Sequence, residues 1–98
     1  MSRPNIDFIA DLETIVRARL ETGGDASYTA RLAEAGTKRI AQKVGEEGVE
    51  LALAATAGGQ QEVIDEASDL VYHLIVLLAD AGLSLEDVAV RLEARHSA

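Results

Sequence analysis

Apolar side chains recur every three or four positions along nearly the whole 98-residue chain. This period is typical of amphipathic helices, and no segment shows the competing alternation that marks strands. The pattern therefore predicts an all-α protein with five helices. Their predicted bounds are about Ile6 to Leu20, a short helix after Ser27 through Ala35, Lys38 to about Ala57, about Gln60 to Asp80, and a helix after Ser84 to about Arg95.

The predicted helices are separated by residues that end or begin helices. Glycines provide the stops, at Gly23-Gly24, Gly36, Gly58-Gly59 and Gly82. Ser27 and Thr37 are predicted N-caps, and Ser84 with Asp87 resembles a capping box. Since the chain has no long linker and no repeat, residues 1–98 are expected to form a single domain around a central hairpin of the third and fourth helices.

The first and third helices carry features that predict how they pack. The first has an apolar face made of Phe8, Ile9, Leu12, Ile15, Val16 and Leu20. The third contains Gly45 and Gly48, each of which costs about 1 kcal/mol relative to alanine inside a helix. We interpret these glycines as part of a smooth stripe that lets another helix approach closely, with a hinge as the alternative.

Two acidic pairs lie on opposite sides of the Gly58-Gly59 break. Glu47 and Glu50 are three residues apart, as are Glu66 and Asp69, so each pair lies on one face of its helix. The two pairs also lie at similar distances from the break, and an antiparallel hairpin would bring all four carboxylates together. Crowded carboxylates repel one another, and a divalent cation relieves that repulsion.

The charge pattern leaves two interpretations of these acids open. Because no lysine or arginine occurs between Val44 and Val90, we expect the acids to lack local salt-bridge partners. A metal site is one interpretation, and a solvated acidic surface is the other. Carboxylates suit Mg²⁺ or Mn²⁺, whereas zinc favours histidine and cysteine. Three basic residues precede the acids and could bind phosphate oxygens or simply lie in solvent: Lys38, Arg39 and Lys43.

The composition narrows the classes of protein further. A formal net charge of −8 disfavours nucleic acid and anionic membranes as partners. The absence of cysteine excludes disulfides and thiolate catalysis. The acidic N-terminal region does not suit an export signal and the apolar run over residues 70–79 is too short for a membrane span, so a cytoplasmic location is expected. With 3% aromatic residues the core is thin, and a homo-oligomer is expected.

The spacing of the acids and four longer segments resemble known families. Glu-x-x-Glu, fifteen residues, then Glu-x-x-Asp resembles the signature of the all-α, MazG-like nucleoside triphosphate pyrophosphohydrolase superfamily. More narrowly, about residues 8–92 resemble the phosphoribosyl-ATP pyrophosphohydrolase family of histidine biosynthesis. The segments that carry this resemblance are SYTARL (27–32), GTKRIAQKVGEE (36–47), EASDLVYHL (66–74) and GLSL (82–85). The resemblance implies a five-helix MazG-like bundle that forms a homodimer.

The resemblance also implies a reaction and roles for individual residues. The reaction is hydrolysis of the α–β phosphoanhydride of phosphoribosyl-ATP, the second step of histidine biosynthesis, to phosphoribosyl-AMP and pyrophosphate with Mg²⁺. The implied metal ligands are Glu47, Glu50, Glu66 and Asp69, and the implied catalytic residues are Glu46 and Glu47. The implied substrate-binding residues are Lys38, Arg39, Lys43, Ser27, Tyr28, Tyr72 and His73.

Alternatives remain at the level of single residues and of the whole protein. Ser27 could serve only as a cap, and His73 could be structural. A housecleaning enzyme acting on dUTP or dCTP would use the same metal patch, and an acidic helical module that only binds a partner would not be an enzyme. The cyclohydrolase domain that some relatives carry is expected on another polypeptide.

Overall fold

The computed structural model describes residues 4–22 and 27–97, and within these ranges it contains five helices and no strand. The helices are α1 (Pro4–Thr22), α2 (Tyr28–Ala35), α3 (Thr37–Ala57), α4 (Gln60–Asp80) and α5 (Leu85–His96). The all-α prediction is therefore confirmed, with helix bounds within two residues of those expected. The predicted stop at Gly23-Gly24 lies outside the described residues. None of these helices combines the length and the apolarity that crossing a membrane requires.

Two of the predicted N-caps are present, and the third is wrong. The Ser27 side chain accepts a hydrogen bond from the Ala30 amide at 3.0 Å. Ser84 and Asp87 form the predicted capping box at the start of α5. Thr37 is not a cap, because the N-cap of α3 is Gly36. The Thr37 hydroxyl instead donates to a carboxylate oxygen of α4, as described next.

The centre of the fold is the antiparallel hairpin of α3 and α4, which share the most extensive contacts between helices. At its open end Thr37 Oγ1 donates to Asp80 Oδ2 at 2.7 Å. At its closed end the turn favours a glycine at position 58. A Cβ on Gly58 would lie 3.0 Å from the Ala54 carbonyl oxygen, tighter than most real Cβ contacts, and 2.8 Å from Glu62 Oε2, which would have to move. The hairpin is therefore held by a side-chain hydrogen bond at its open end and by a tight glycine turn at its closed end.

The remaining helices cover one side of this hairpin. Helix α1 packs on α4, and α2 packs on α1 and α3, while α5 makes few contacts with the other helices. The buried apolar cluster consists of Val16, Leu32, Ile40, Ile75 and Val76. Helix α1 also holds the α4–α5 connection, since Arg17 donates to the Leu83 carbonyl at 2.8 Å and Glu13 accepts from the Leu85 amide at 2.7 Å.

One expectation about packing is wrong, and another is not met by contacts among the described residues. Phe8 and Ile15 were expected on the buried face of α1, but they are 52% and 37% exposed. The stripe containing Gly45 and Gly48 was expected to receive another helix. Among the described residues, no atom lies within 4 Å of a Cβ built at either glycine, apart from those of the adjoining helical backbone. The glycines therefore serve no contact between the helices that the structure describes, and approach by a second copy stays a prediction.

Gly82 provides a test of backbone strain at the end of α4. Its φ of +76° favours glycine, and the amides of Gly82 and Leu83 donate to the carbonyls of Ala79 and Leu78 in a Schellman arrangement. We expect Gly82→Ala to lower the free energy of unfolding by about 1–2 kcal/mol, because alanine disfavours the left-handed conformation. Gly45→Ala is the matched control, since a helical glycine in open space should gain up to about 1 kcal/mol. Urea unfolding of both variants measures the difference, and equal effects would contradict it.

Candidate metal centre

The hairpin brings together the carboxylates of α3 and α4 that the sequence pairs across its turn. One oxygen each of Glu47, Glu66 and Asp69 lies within 4.8 Å of the other two. Glu50 lies beside this group, near enough to Glu66 to raise the pKa of its carboxyl. Oxygen ligands bind divalent cations at about 2.0–2.6 Å, so a single ion can contact oxygens at such separations. We call Glu47, Glu50, Glu66 and Asp69 the acidic centre.

Burial leaves two carboxylate oxygens of the acidic centre without a hydrogen-bond partner among the described residues. Glu47 is only 5% exposed, and its Oε2, like Oε2 of Glu66, is buried without a hydrogen-bond partner among the described residues. A buried carboxylate oxygen that lacks a partner is unfavourable, so each such oxygen in a native structure calls for an explanation. A bound cation would supply the missing partner for both oxygens. The donor set, which is made only of carboxylates, fits Mg²⁺ or Mn²⁺.

The crowding also changes the acidity of one member of the acidic centre. Hydrogen bonding to Glu50, loss of hydration and the charges of Glu50, Asp69 and Glu47 raise the pKa of Glu66 from 4.5 to about 7. The charged form of Glu66 is therefore disfavoured in the folded, metal-free chain. A cation that binds here would displace this proton, as expected when ligands must be deprotonated.

The raised pKa of Glu66 predicts how stability depends on pH without metal. Its contribution to stability is fully present below about 4.5 and is lost as the pH rises through about 7. We therefore expect Glu66→Gln, which cannot ionise, to raise the melting temperature of the metal-free protein at pH 8 but not at pH 4. Thermal melts in a chelating buffer at both pH values measure this. Asp65→Asn, at an exposed acid on the same helix, is the control, and an identical response of the two variants would contradict the prediction.

One basic residue contacts the acidic centre directly. The Lys43 ammonium lies 3.5 Å from Glu47 Oε1 and 3.7 Å from Glu46 Oε1. Partial burial acts to lower the pKa of Lys43, but attraction by Tyr28, Glu47 and Glu46 outweighs it and raises the pKa. The expectation that the acids lack local partners is therefore wrong for Glu46 and Glu47. The spacing of four residues between Lys43 and Glu47 was a signal that could have revealed the pair.

The other predicted site residues on α2 and α3 lie outside the group of close carboxylates. Glu46 is exposed, accepts from Gln42 Nε2 at 3.0 Å and lies outside the group of three close carboxylates. Lys38 and Arg39 are exposed on the first turn of α3. Ser27 caps α2, as shown above. The roles of these residues in binding and catalysis stay predictions.

Aromatic side chains from α2 and α4 lie next to the acidic centre. Tyr28, Tyr72 and His73 form a cluster with ring centroids 5.3–6.1 Å apart. The ring of His73 connects the cluster to the acids, because its Nδ1 lies 4.0 Å from Glu47 Oε1. Thr29, fully buried, shares a hydrogen bond with the hydroxyl of Tyr72. Sequence reasoning missed Thr29, because nothing in the local pattern distinguishes it from any other helical threonine.

Comparison with known proteins identifies relatives over nearly the whole chain. The sequence profile of the family described as phosphoribosyl-ATP pyrophosphohydrolase matches residues 9–96. The histidine biosynthesis bifunctional protein HisIE of Campylobacter jejuni is 59% identical over 93% of the chain, and that of Photobacterium profundum is 54% identical over 97%. The matched parts are 44% and 46% of those proteins, so the chain spans about half the length of these relatives.

Proposed function

The chain belongs to the phosphoribosyl-ATP pyrophosphohydrolase family, and we propose that it catalyses the reaction for which the family is named. In this reaction water attacks phosphoribosyl-ATP, the α–β phosphoanhydride breaks, and phosphoribosyl-AMP and pyrophosphate leave. One observation carries the proposal above all others. Glu47, Glu66 and Asp69 converge within 4.8 Å, and two of their buried oxygens have no partner among the described residues.

The acidic centre would hold Mg²⁺ or Mn²⁺ through Glu47, Glu66 and Asp69, with Glu50 beside them. A divalent cation bound there neutralises phosphate oxygens and lowers the pKa of water. The side chains of α3 and α4 contribute position, because the hairpin fixes these carboxylates before substrate arrives. Either Glu46 or Glu47 would accept the proton of the attacking water, as a positioned general base.

The basic residues of α3 would bind the phosphates. Lys43 is held beside Glu47 and keeps its positive charge, which is suited to an oxygen of the substrate's triphosphate. Lys38 and Arg39, one turn or more earlier and exposed, would contact the leaving pyrophosphate. Most of the catalytic effect in phosphoryl transfer comes from such positioning and charge neutralisation.

Measurement of pyrophosphate release tests this function. The purified chain is incubated with phosphoribosyl-ATP, dUTP, dCTP and the common triphosphates, each with magnesium and with a chelator. We expect magnesium-dependent release that is fastest from phosphoribosyl-ATP. Faster turnover of dUTP or dCTP would support a housecleaning enzyme instead, and no turnover of any nucleotide would support an interaction module.

A second copy of the chain would cover the exposed side of α3. Val49 and Leu53 are 61% and 62% exposed there, and Gly45 and Gly48 leave room for a neighbour that the described residues do not supply. Apolar side chains grouped on one face are typical of an interaction surface. Sedimentation equilibrium measures the mass. A dimer that Leu53→Glu dissociates is expected, and a monomer at all concentrations would refute it.

Because it would act on a metabolic nucleotide, the protein would work in the cytoplasm.

A further inference from the structure

The ring of His73 has no nitrogen left for a substrate. Its Nδ1 lies 2.8 Å from the carbonyl oxygen of Asp69, and its Nε2 lies 2.8 Å from the hydroxyl of Tyr28. A carbonyl oxygen only accepts, so Nδ1 carries the hydrogen and donates it. In the neutral ring Nε2 is then the acceptor, and the Tyr28 hydroxyl donates to it. Only 6% of the surface of His73 is exposed, so its ring is not open to a ligand from solvent.

Tyr28 has the opposite character, because it is anchored and yet open to solvent. Its hydroxyl is held by His73, and its ring packs against Tyr72 at 6.1 Å with an angle of 28° between the planes. The edge of the His73 ring meets it at 87°. Even so, Tyr28 is 42% exposed. An aromatic ring that is held on one side and exposed on the other is suited to stacking with a flat ligand group.

The position of Tyr28 relative to the acidic centre indicates what that ligand group is. His73 contacts Tyr28 at one end of its ring and approaches Glu47 at the other. The same histidine is bonded to the backbone of Asp69, which is a member of the acidic centre. Tyr28 is therefore separated from the carboxylates by a single side chain. In a nucleotide one ribose separates the base from the phosphates, so a nucleotide with its phosphates at the acidic centre would carry its base one sugar away, on the scale of the single side chain that separates Tyr28 from the acids.

We propose that His73 is a positioning residue that fixes the ring of Tyr28, and that the exposed face of this ring stacks with the base of the nucleotide substrate. The proposal rests on the proposed function, because it assumes that the phosphates bind at the acidic centre. It separates two roles within the aromatic cluster. Tyr28 contacts the substrate, whereas His73 acts only through Tyr28.

A double-mutant cycle on KM tests the link between the two residues. Tyr28→Phe keeps the stacking face but loses the anchor, and His73→Asn loses the acceptor for Tyr28. Each is expected to raise KM for phosphoribosyl-ATP about five-fold with little change in kcat, since one hydrogen bond is lost in either case. The double variant should be no worse than either single variant. Independent effects that multiply, or a fall in kcat alone, would overturn the proposal.

Three further variants separate positioning from general damage to the fold. His73→Gln places an amide oxygen where it can accept from Tyr28, and it should return KM to within about two-fold of the unsubstituted chain. Tyr28→Ala removes the stacking face itself and should raise KM about ten-fold or more. Thr37→Val removes a hydrogen bond between helices that is remote from the cluster, and it should leave KM unchanged. A failure of rescue by His73→Gln, together with a KM change in Thr37→Val, would indicate a structural role only.

A readout without turnover distinguishes this proposal from the proposed function. The chain has two tyrosines and no tryptophan, so its fluorescence reports on Tyr28 and Tyr72. We expect AMP with magnesium to quench it, with affinity about five-fold lower in His73→Asn. Quenching at equal affinity in both proteins would overturn the positioning role. If quenching is weakened as expected but phosphoribosyl-ATP is not hydrolysed, the inference holds and the proposed reaction fails.

Discussion

Glu47→Gln is expected to reduce magnesium-dependent hydrolysis of phosphoribosyl-ATP by about 10²–10³-fold, because a ligand that contributes several kcal/mol to charge neutralisation is lost. Glutamine has nearly the same volume and can remain in the buried position that Glu47 occupies. The helical fold should therefore persist. Steady-state rates at several magnesium concentrations, with circular dichroism on the same samples, measure both effects. Asp69→Asn should behave in the same way.

The control for these variants is an acid on the same helix that does not belong to the acidic centre. Asp65 is exposed on α4 and directly precedes Glu66. Asp65→Asn makes the same change in charge and should leave the rate within about two-fold, because exposed charges are weakly coupled to a site. Full activity of Glu47→Gln would refute the metal assignment. An equal loss in Asp65→Asn would show that total charge, rather than ligation, matters.

Ile75→Ala is expected to lower the free energy of unfolding by about 2–5 kcal/mol. Ile75 is fully buried in the cluster with Val16 and Ile40, so its truncation removes buried apolar surface and leaves a cavity. In a domain of about this size, where total stability is only about 5–15 kcal/mol, such a loss leaves a marginal protein. Chemical denaturation with urea measures the change.

The matched control is the same substitution elsewhere on the same helix. Ile64 is 55% exposed on α4, and Ile64→Ala should cost no more than about 0.5 kcal/mol in the isolated chain. A larger cost that grows with protein concentration would instead indicate that a second copy covers Ile64. An effect of Ile75→Ala as small as that of an exposed residue would contradict the described core.

Local sequence patterns predicted the five helices closely because the interactions that form them are local. The apolar period, the Ser84–Asp87 capping box and the glycine stops all act within a few residues. Thr37 shows where this reasoning fails. A threonine before a helix is a good cap, but a partner 43 residues away, Asp80, holds its hydroxyl in the fold. Phe8 fails for a related reason, since the helices that pack against α1 decide which of its apolar residues are buried, and Phe8 is left 52% exposed.

The acidic centre was also predictable, and for a physical reason that combines period and topology. Spacings of three residues on two helices joined by a tight turn bring four carboxylates to one place in an antiparallel hairpin. How deeply the acidic centre is buried was not predictable from the sequence. Only the packing of other helices against α3 shows that Glu47 is 5% exposed. Burial depends on neighbours that are distant in sequence.

The sequence by itself determined the helices, their order, the register of the hairpin and the family to which the chain belongs. Those properties follow from hydrophobic period, from glycine and capping chemistry, and from motifs that can be read along the chain. Tertiary structure alone decided which carboxylate oxygens lose water, which acid is hard to ionise, and that Tyr28, Thr29, Tyr72 and His73 meet. Hydration and hydrogen-bond partners are set by atoms that come together only when helices pack, and spacing along one helix does not encode them.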